Sequence, residues 1–249
     1  MSQTTIIGWT NHTFNIVWGC TKVSPGCKNC YADHLADRYG WDVWGPNKER
    51  RVFGEKHWGE PRKWNKLAET ERNRRRVFCG SMCDVFEDHA MVKGEREKLW
   101  PMIRETPWLD WQLLTKRPER VAENLPGDWE GGYPNVWLGT SIESNEYADR
   151  ADHLRVIPAT VRFVSYEPAL GPLDGLSLMG LDWIIYGGES GPGYRPHDLA
   201  WPRQMKQRCE EAGVAFFFKQ SAAPRTEMGT TLDGQIIRQY PRARIPVVS

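Results

Sequence analysis

Seven short apolar runs, at residues 14–18, 77–80, 111–114, 136–139, 161–165, 183–186 and 214–218, each end in polar or glycine residues. Most of them then pass into a stretch of helical composition, expected near 29–39, 95–104, 145–154 and 202–212, with a shorter helix after "TKRPER". Near-continuous apolar runs mark strands buried on both faces, and helices between them mark parallel pairing through crossovers. The pattern predicts an α/β fold, a partial (β/α) TIM-like barrel of mostly parallel strands. A complete barrel and a doubly wound open sheet share the pattern, and periodicity does not separate them. A length of 249 residues suits one large α/β domain or two small ones, and one domain is the simpler reading. That domain is assigned to residues 1–221, with a strand-poor basic segment inserted at about 40–76. Residues 222–249 are read as a C-terminal extension, in which Gly234 between two short apolar stretches permits a hairpin.

In parallel α/β folds the side chains at the carboxyl ends of the strands converge on one mouth, where ligands bind. Those positions here are Cys20, Ser81, Asp84, Thr115, Lys116, Arg117, Ser141, Glu143, Tyr166, Glu167, Gly187, Gly188, Glu189, Ser190, Lys219 and Gln220. Each strand ends in groups able to bind or react, so the reading places a functional site there.

The first strand leads into "CTKVSPGCKNCYA", which gathers Cys20, Cys27 and Cys30 on one loop bent by Pro25 and Gly26. No run of about 18–20 apolar residues suggests a membrane span, no secretory signal is legible, and a cytoplasmic location is expected. In a reducing compartment such cysteines serve as ligands or catalysts more often than as disulfides. Thiolates select zinc or iron–sulfur clusters. Structural zinc needs a fourth protein ligand, for which His34 and Cys83 are candidates. A cubane cluster on three cysteines leaves one iron open. Cys83, in "SMCD" after the second strand, is also a candidate hydrogen-atom donor or a buried apolar residue, and Cys79 and Cys209 read as core. The six histidines show no regular metal spacing.

The formal net charge of +1 says nothing about partners, but residues 48–76 hold eleven basic against five acidic side chains, a net +6. With Phe53, Trp58 and Trp64 among them, the segment suits phosphate neutralisation and base stacking, so DNA, RNA or a nucleotide is a candidate partner. The same composition suits an insertion whose long side chains cover apolar surface.

Cys27, Cys30 and Tyr31 form a C-x2-C-aromatic ending that resembles the cluster loop of radical S-adenosylmethionine enzymes. That superfamily usually spaces its cysteines C-x3-C-x2-C, whereas the first gap here is x6. Together, "GCTKVSPGCKNCYA", "LLTKRP", "WLGTSIES", "VSYEPALGP", "IIYGGESG" and "FFFKQ" resemble a phage- and bacteria-borne family of uncharacterised three-cysteine proteins grouped with radical S-adenosylmethionine proteins. The likeness runs from about residue 10 to 220. It implies a [4Fe-4S] cluster on Cys20, Cys27 and Cys30 whose open iron chelates S-adenosylmethionine, giving a 5′-deoxyadenosyl radical that abstracts hydrogen from a substrate. Glu189, in "GGESG", resembles the superfamily's glycine–glycine–glutamate element, although that element normally follows the second strand and this one follows the sixth. On chemistry, Glu189 is a candidate for the cofactor's amino group or ribose, with Gly187 and Gly188 allowing close backbone approach. Ser141, Glu143 and Glu167 are further candidates for hydroxyl or amino contacts, and Lys116 and Arg117 for a carboxylate or phosphate. The alternatives are a non-catalytic, zinc-stapled nucleic-acid-binding module and a barrel that keeps a cluster only for structure or sensing. A partner protein that completes the site is compatible with either.

Overall fold

The computed structural model describes residues 5–242; residues 243–249, the end of the expected extension, lie outside the described residues. Strands β1 (His12–Phe14), β2 (Arg75–Cys79), β3 (Leu109–Thr115), β4 (Val136–Ser141), β5 (Val161–Tyr166), β6 (Trp183–Gly187) and β7 (Ala215–Gln220) form one sheet in the order β1-β2-β3-β4-β5-β6-β7. Every pair is parallel. A doubly wound sheet reverses its strand order at a switch point. This sheet never reverses, so its crossovers all progress one way and it curls into a half-barrel.

The helices are α1 (Tyr31–Arg38), α2 (Glu55–Trp58), α3 (Glu60–Thr70), α4 (Ala90–Glu105), α5 (Arg150–Arg155) and α6 (Ala200–Ala212). Strand alternation divides the apolar side chains between two faces. Val77, Cys79, Trp111 and Leu113 point outward and pack with Trp64 and Ala68 of α3 and Val92, Leu99 and Ile103 of α4. Tyr166, Ile184, Tyr186, Phe216 and Phe218 do the same with Met205 and Cys209 of α6. The residues between them, Phe78, Trp137, Phe163, Trp183, Ile185 and Phe217, cluster with Trp9 inside the curl. Aromatic bulk thus fills the lower interior, as side chains fill closed barrels of this type, and the carboxyl ends of the strands are left to form a mouth.

The inserted segment is a working part of the domain. Helix α3 buries Pro61, Trp64 and Ala68, and Arg51 pairs with Trp18 through an isolated antiparallel bridge. The C-terminal extension also belongs to the sheet. Phe218 N–H donates to Ile237 O at 2.9 Å and Gln239 N–H to Phe216 O at 3.1 Å, so this chain runs antiparallel along the free edge of β7. The expected turn at Gly234 forms, with Leu232 and Gln235 bridged across it. Among the described residues no helix is long and apolar enough to cross a membrane.

Candidate functional site

A cavity of about 240 Å³ opens at the carboxyl ends of the strands. Cys20, Cys27 and Cys30 line it together with Cys83, and none of the cysteines is in a disulfide. Facing them are Ser141, Ser165, Glu167, Gly188, Glu189 and Lys219, from the ends of β4, β5, β6 and β7. The floor is apolar, made by Trp9, Phe78 and Leu114. Residues separated by up to 213 positions in the chain, Ile7 to Gln220, therefore share one recess.

The cysteine loop lies across this mouth as a strap. On the β3 side Arg117 Nη2 donates to Thr21 O at 2.7 Å and its Nη1 reaches Cys20 Sγ at 3.8 Å. At the end of β4, Ser24 Oγ donates to Glu143 Oε1 at 2.6 Å. On the β6 side Asn29 Nδ2 donates to Glu189 Oε2 and to Gly193 O, both at 3.0 Å, and Arg195 Nη2 donates to Pro25 O at 3.1 Å. Tyr31 Oη, at the start of α1, donates to Ser81 O after β2 at 2.5 Å. Gly26 permits the approach to Glu143, since a Cβ there would stand 2.3 Å from Glu143 Oε1.

Two buried carboxylates hold the strap. Glu143, at 1% side-chain exposure, receives Lys116 Nζ at 2.6 Å and Arg150 Nη1 at 2.9 Å. Burial opposes its ionisation, but the Lys116 and Arg150 charges outweigh burial and keep its carboxyl below the ordinary value. Glu189 pairs with the Arg195 guanidinium and also accepts from Arg195 N–H at 2.8 Å. Burial is again the largest opposing effect there, and the hydrogen bonds from Arg195 and Asn29 prevail, lowering its pKa. Asp84, a buried acid on the cavity lining, accepts from Thr115 Oγ1, Lys116 N–H and Arg117 Nη1.

The thiols are tuned by the same surroundings. Burial pushes Cys20 well above the ordinary thiol range and Asp84 adds to the rise, while Arg117 works the other way. Cys30 caps α1 and is raised chiefly by burial, against hydrogen bonds from the backbone of Asp33 and Ala32. Cys83 is 8% exposed and pushed up to about 12, first by burial. It therefore stays a protonated thiol at neutral pH, with Sγ 3.9 Å from Asn15 Oδ1.

The expected glycine roles differ in detail. Gly188 is approached by the protein's own backbone, a Cβ there meeting Ala222 N at 2.1 Å, and Gly187 faces the Glu167 carboxylate. His34 is exposed on α1. Among the described residues no group of three or more His, Cys, Asp or Glu is close enough to hold a single metal ion. Thiolates that share a recess are donors for a zinc ion or for a cluster, and a cubane would spread them over separate irons rather than gather them on one ion.

Sequence reading missed several residues. Ser24, Asn29 and Arg195 tie the strap, and Arg50, with no side-chain exposure, reaches Glu87 at 2.9 Å while donating to Val43 O, Lys48 O, Gly45 O and Thr21 Oγ1. Lone polar residues in loops carry no periodic signal that would reveal this. The basic segment also spends much of its charge internally, through Lys48–Asp42, Arg50–Glu87, Arg62–Glu105, Lys63–Glu60, Arg74–Asp110 and Arg75–Glu71. Four of those acids lie outside it, which a charge count within the segment cannot register.

A family model described as "Protein of unknown function (DUF5131)" matches residues 4–241. Comparison with curated proteins and with solved structures found no match.

Proposed function

We propose that this chain, which belongs to the DUF5131 family, is a radical S-adenosylmethionine enzyme. The observation that carries the reading is the convergence of Cys20, Cys27 and Cys30 on one cavity whose opposite wall is built from the ends of β4 to β7. Those three cysteines would hold a [4Fe-4S] cluster, and the remaining wall would receive S-adenosylmethionine and substrate. With S-adenosylmethionine bound, a cluster reduced by an external one-electron donor would supply the electron that splits the sulfonium into methionine and a 5′-deoxyadenosyl radical able to abstract hydrogen.

The chain's own work is positioning. Glu143 and Glu189 fix the cysteine loop over the barrel mouth through Ser24, Asn29 and Arg195. Arg117 stands where it would offset the negative charge of a Cys20 thiolate ligand. The Trp9, Phe78 and Leu114 floor keeps water from below the reacting centre. Cys83 lines the same cavity as a neutral thiol, the protonation state a hydrogen-atom donor needs. A nucleic acid or nucleotide substrate, and cytoplasmic work in a phage-related setting, belong to this proposal. The paired charges of residues 48–76 support direct substrate contact less than they support a structural insertion.

Protein purified without air and reconstituted with iron and sulfide should hold about four irons and four sulfides per chain, and its EPR spectrum should change on adding S-adenosylmethionine. Cys27→Ala should lose the cluster. Zinc alone at one ion per chain, with no iron uptake, would sink the radical reading in favour of a zinc-stapled binding module. A full cluster blind to S-adenosylmethionine would point to a structural or sensing role.

A further inference from the structure

The cavity wall opposite the cysteine loop contains an ion pair that the strap does not use. Lys219 Nζ, near the end of β7, donates to Glu167 Oε2 just after β5 at 2.6 Å, and each side chain is 16% exposed. The other carboxylate oxygen, Glu167 Oε1, is buried and has no hydrogen-bond partner. Glu143, Glu189 and Asp84 differ from it in having both oxygens bonded within the chain. A second buried polar atom on the same lining, Trp9 Nε1, also lacks a partner.

An unsatisfied buried acceptor costs about 1–3 kcal/mol, and a charged one more. Such groups cluster where a ligand completes them. The unmet groups here are an anionic acceptor, an ammonium with donors to spare and an indole N–H, set beside an apolar floor in which the Trp9 and Phe78 rings lie 4.6 Å apart. The complementary ligand is flat, apolar on its faces, and carries an N–H donor next to a lone pair on its edge. Adenine and cytosine have that edge in an exocyclic amine adjoining a ring nitrogen; uracil has only a ring N–H flanked by two carbonyls, one of which would face the Glu167 carboxylate.

We propose that Glu167 and Lys219 read the amino-bearing base of a nucleoside or nucleotide substrate. The base amine donates to Glu167 Oε1, the neighbouring ring nitrogen accepts from Lys219 Nζ, and the ring rests on the Trp9, Phe78 and Leu114 floor. The substrate role rests on the reading of this cavity as an enzyme site, but base binding itself needs no cluster.

Calorimetric titration of the full chain with adenosine, cytidine, uridine and purine riboside tests it. Adenosine or cytidine should bind saturably at one site, and uridine and purine riboside should bind at least tenfold more weakly. Glu167→Gln should lose about tenfold in affinity, as should Lys219→Met, each checked for native circular dichroism. Absence of saturable binding to all four, or affinities unchanged in two folded variants, would overturn the proposal. In protein carrying a cluster, full displacement of the nucleoside by S-adenosylmethionine would hand the site to the cofactor's adenine and defeat the substrate role. Nucleoside binding that persists in a chain unable to take up iron would uphold the base site while the radical reading failed.

Discussion

Glu143 shows how one side chain links charge to the shape of the site. Its carboxyl ionises more readily in the folded chain, because Lys116 and Arg150 together outweigh burial. The stability it contributes is therefore full above the ordinary carboxylate value of about 4.3 and is lost as pH falls through its lower folded value. Glu143→Gln leaves buried Arg150 and half-buried Lys116 short of a partner and should destabilise the protein by about 3 kcal/mol at pH 7. In urea denaturation, the gap between wild type and variant should narrow below about pH 4; a gap independent of pH would contradict the ion-pair account. Both Glu143 and Glu189 were legible as mouth residues, from their places after apolar runs. Their partners were not, because Ser24, Arg150, Asn29 and Arg195 meet them only once the chain is folded.

At the scale of elements, the cysteine loop is held by the loops after β2, β3, β4 and β6 rather than by its own fold. Its one stretch of regular structure is a single 3-10 turn, Pro25–Cys27, and its order depends on those ties. Removing one tie should release it. Arg195→Met breaks both the Glu189 pair and the bond to Pro25 O, and should speed amide hydrogen exchange across residues 20–30 by about tenfold. Exchange in β3, on the far side of the sheet, should not change. The apolar runs located all seven strands, with β1 displaced to His12–Phe14 from the expected 14–18. Residues 16 and 17 are buried without extending the ladder, and burial is the property that an apolar run reports. The helix expected near 145–154 is split into a 3-10 turn at Asn145–Tyr147 and α5 at Arg150–Arg155.

For the whole molecule, the extension beyond residue 221 is part of the barrel. It covers the free edge of β7, buries Leu232 and Ile237, and brings Tyr240 Oη to Gly8 O at 3.1 Å, joining the two ends of the described chain beneath the aromatic interior. Arg76 at the start of β2 stacks on the same tyrosine, 4.0 Å from its ring centre. Truncation after Ser221 should cost about 5 kcal/mol in lost apolar burial and expose β7 as an unpaired edge prone to association. A lower melting temperature with higher oligomers in size-exclusion chromatography is the expected result. An intact, monomeric truncated protein would show that the half-barrel is complete without the extension.

The order of residues alone set the class of this protein: apolar runs spaced by helices point to a parallel α/β sheet, because strands buried on both faces need helices to cover them. It also marked most residues of the mouth, since a strand's end shows where apolar residues stop; Tyr166 is an exception, turned outward among the residues packed on α6. The choice between an open, reversing sheet and a one-way curl was made in the folded chain, because strand order is a property of crossovers rather than of periodicity. The fold alone decided which mouth groups are already satisfied. Distant Ser24 and Lys116 with nearby Arg150 close Glu143, distant Asn29 with nearby Arg195 closes Glu189, Thr115 and Arg117 close Asp84, and Glu167 keeps one oxygen buried and unpaired. Hydrogen bonding between segments depends on distances that the order of residues along a chain does not contain.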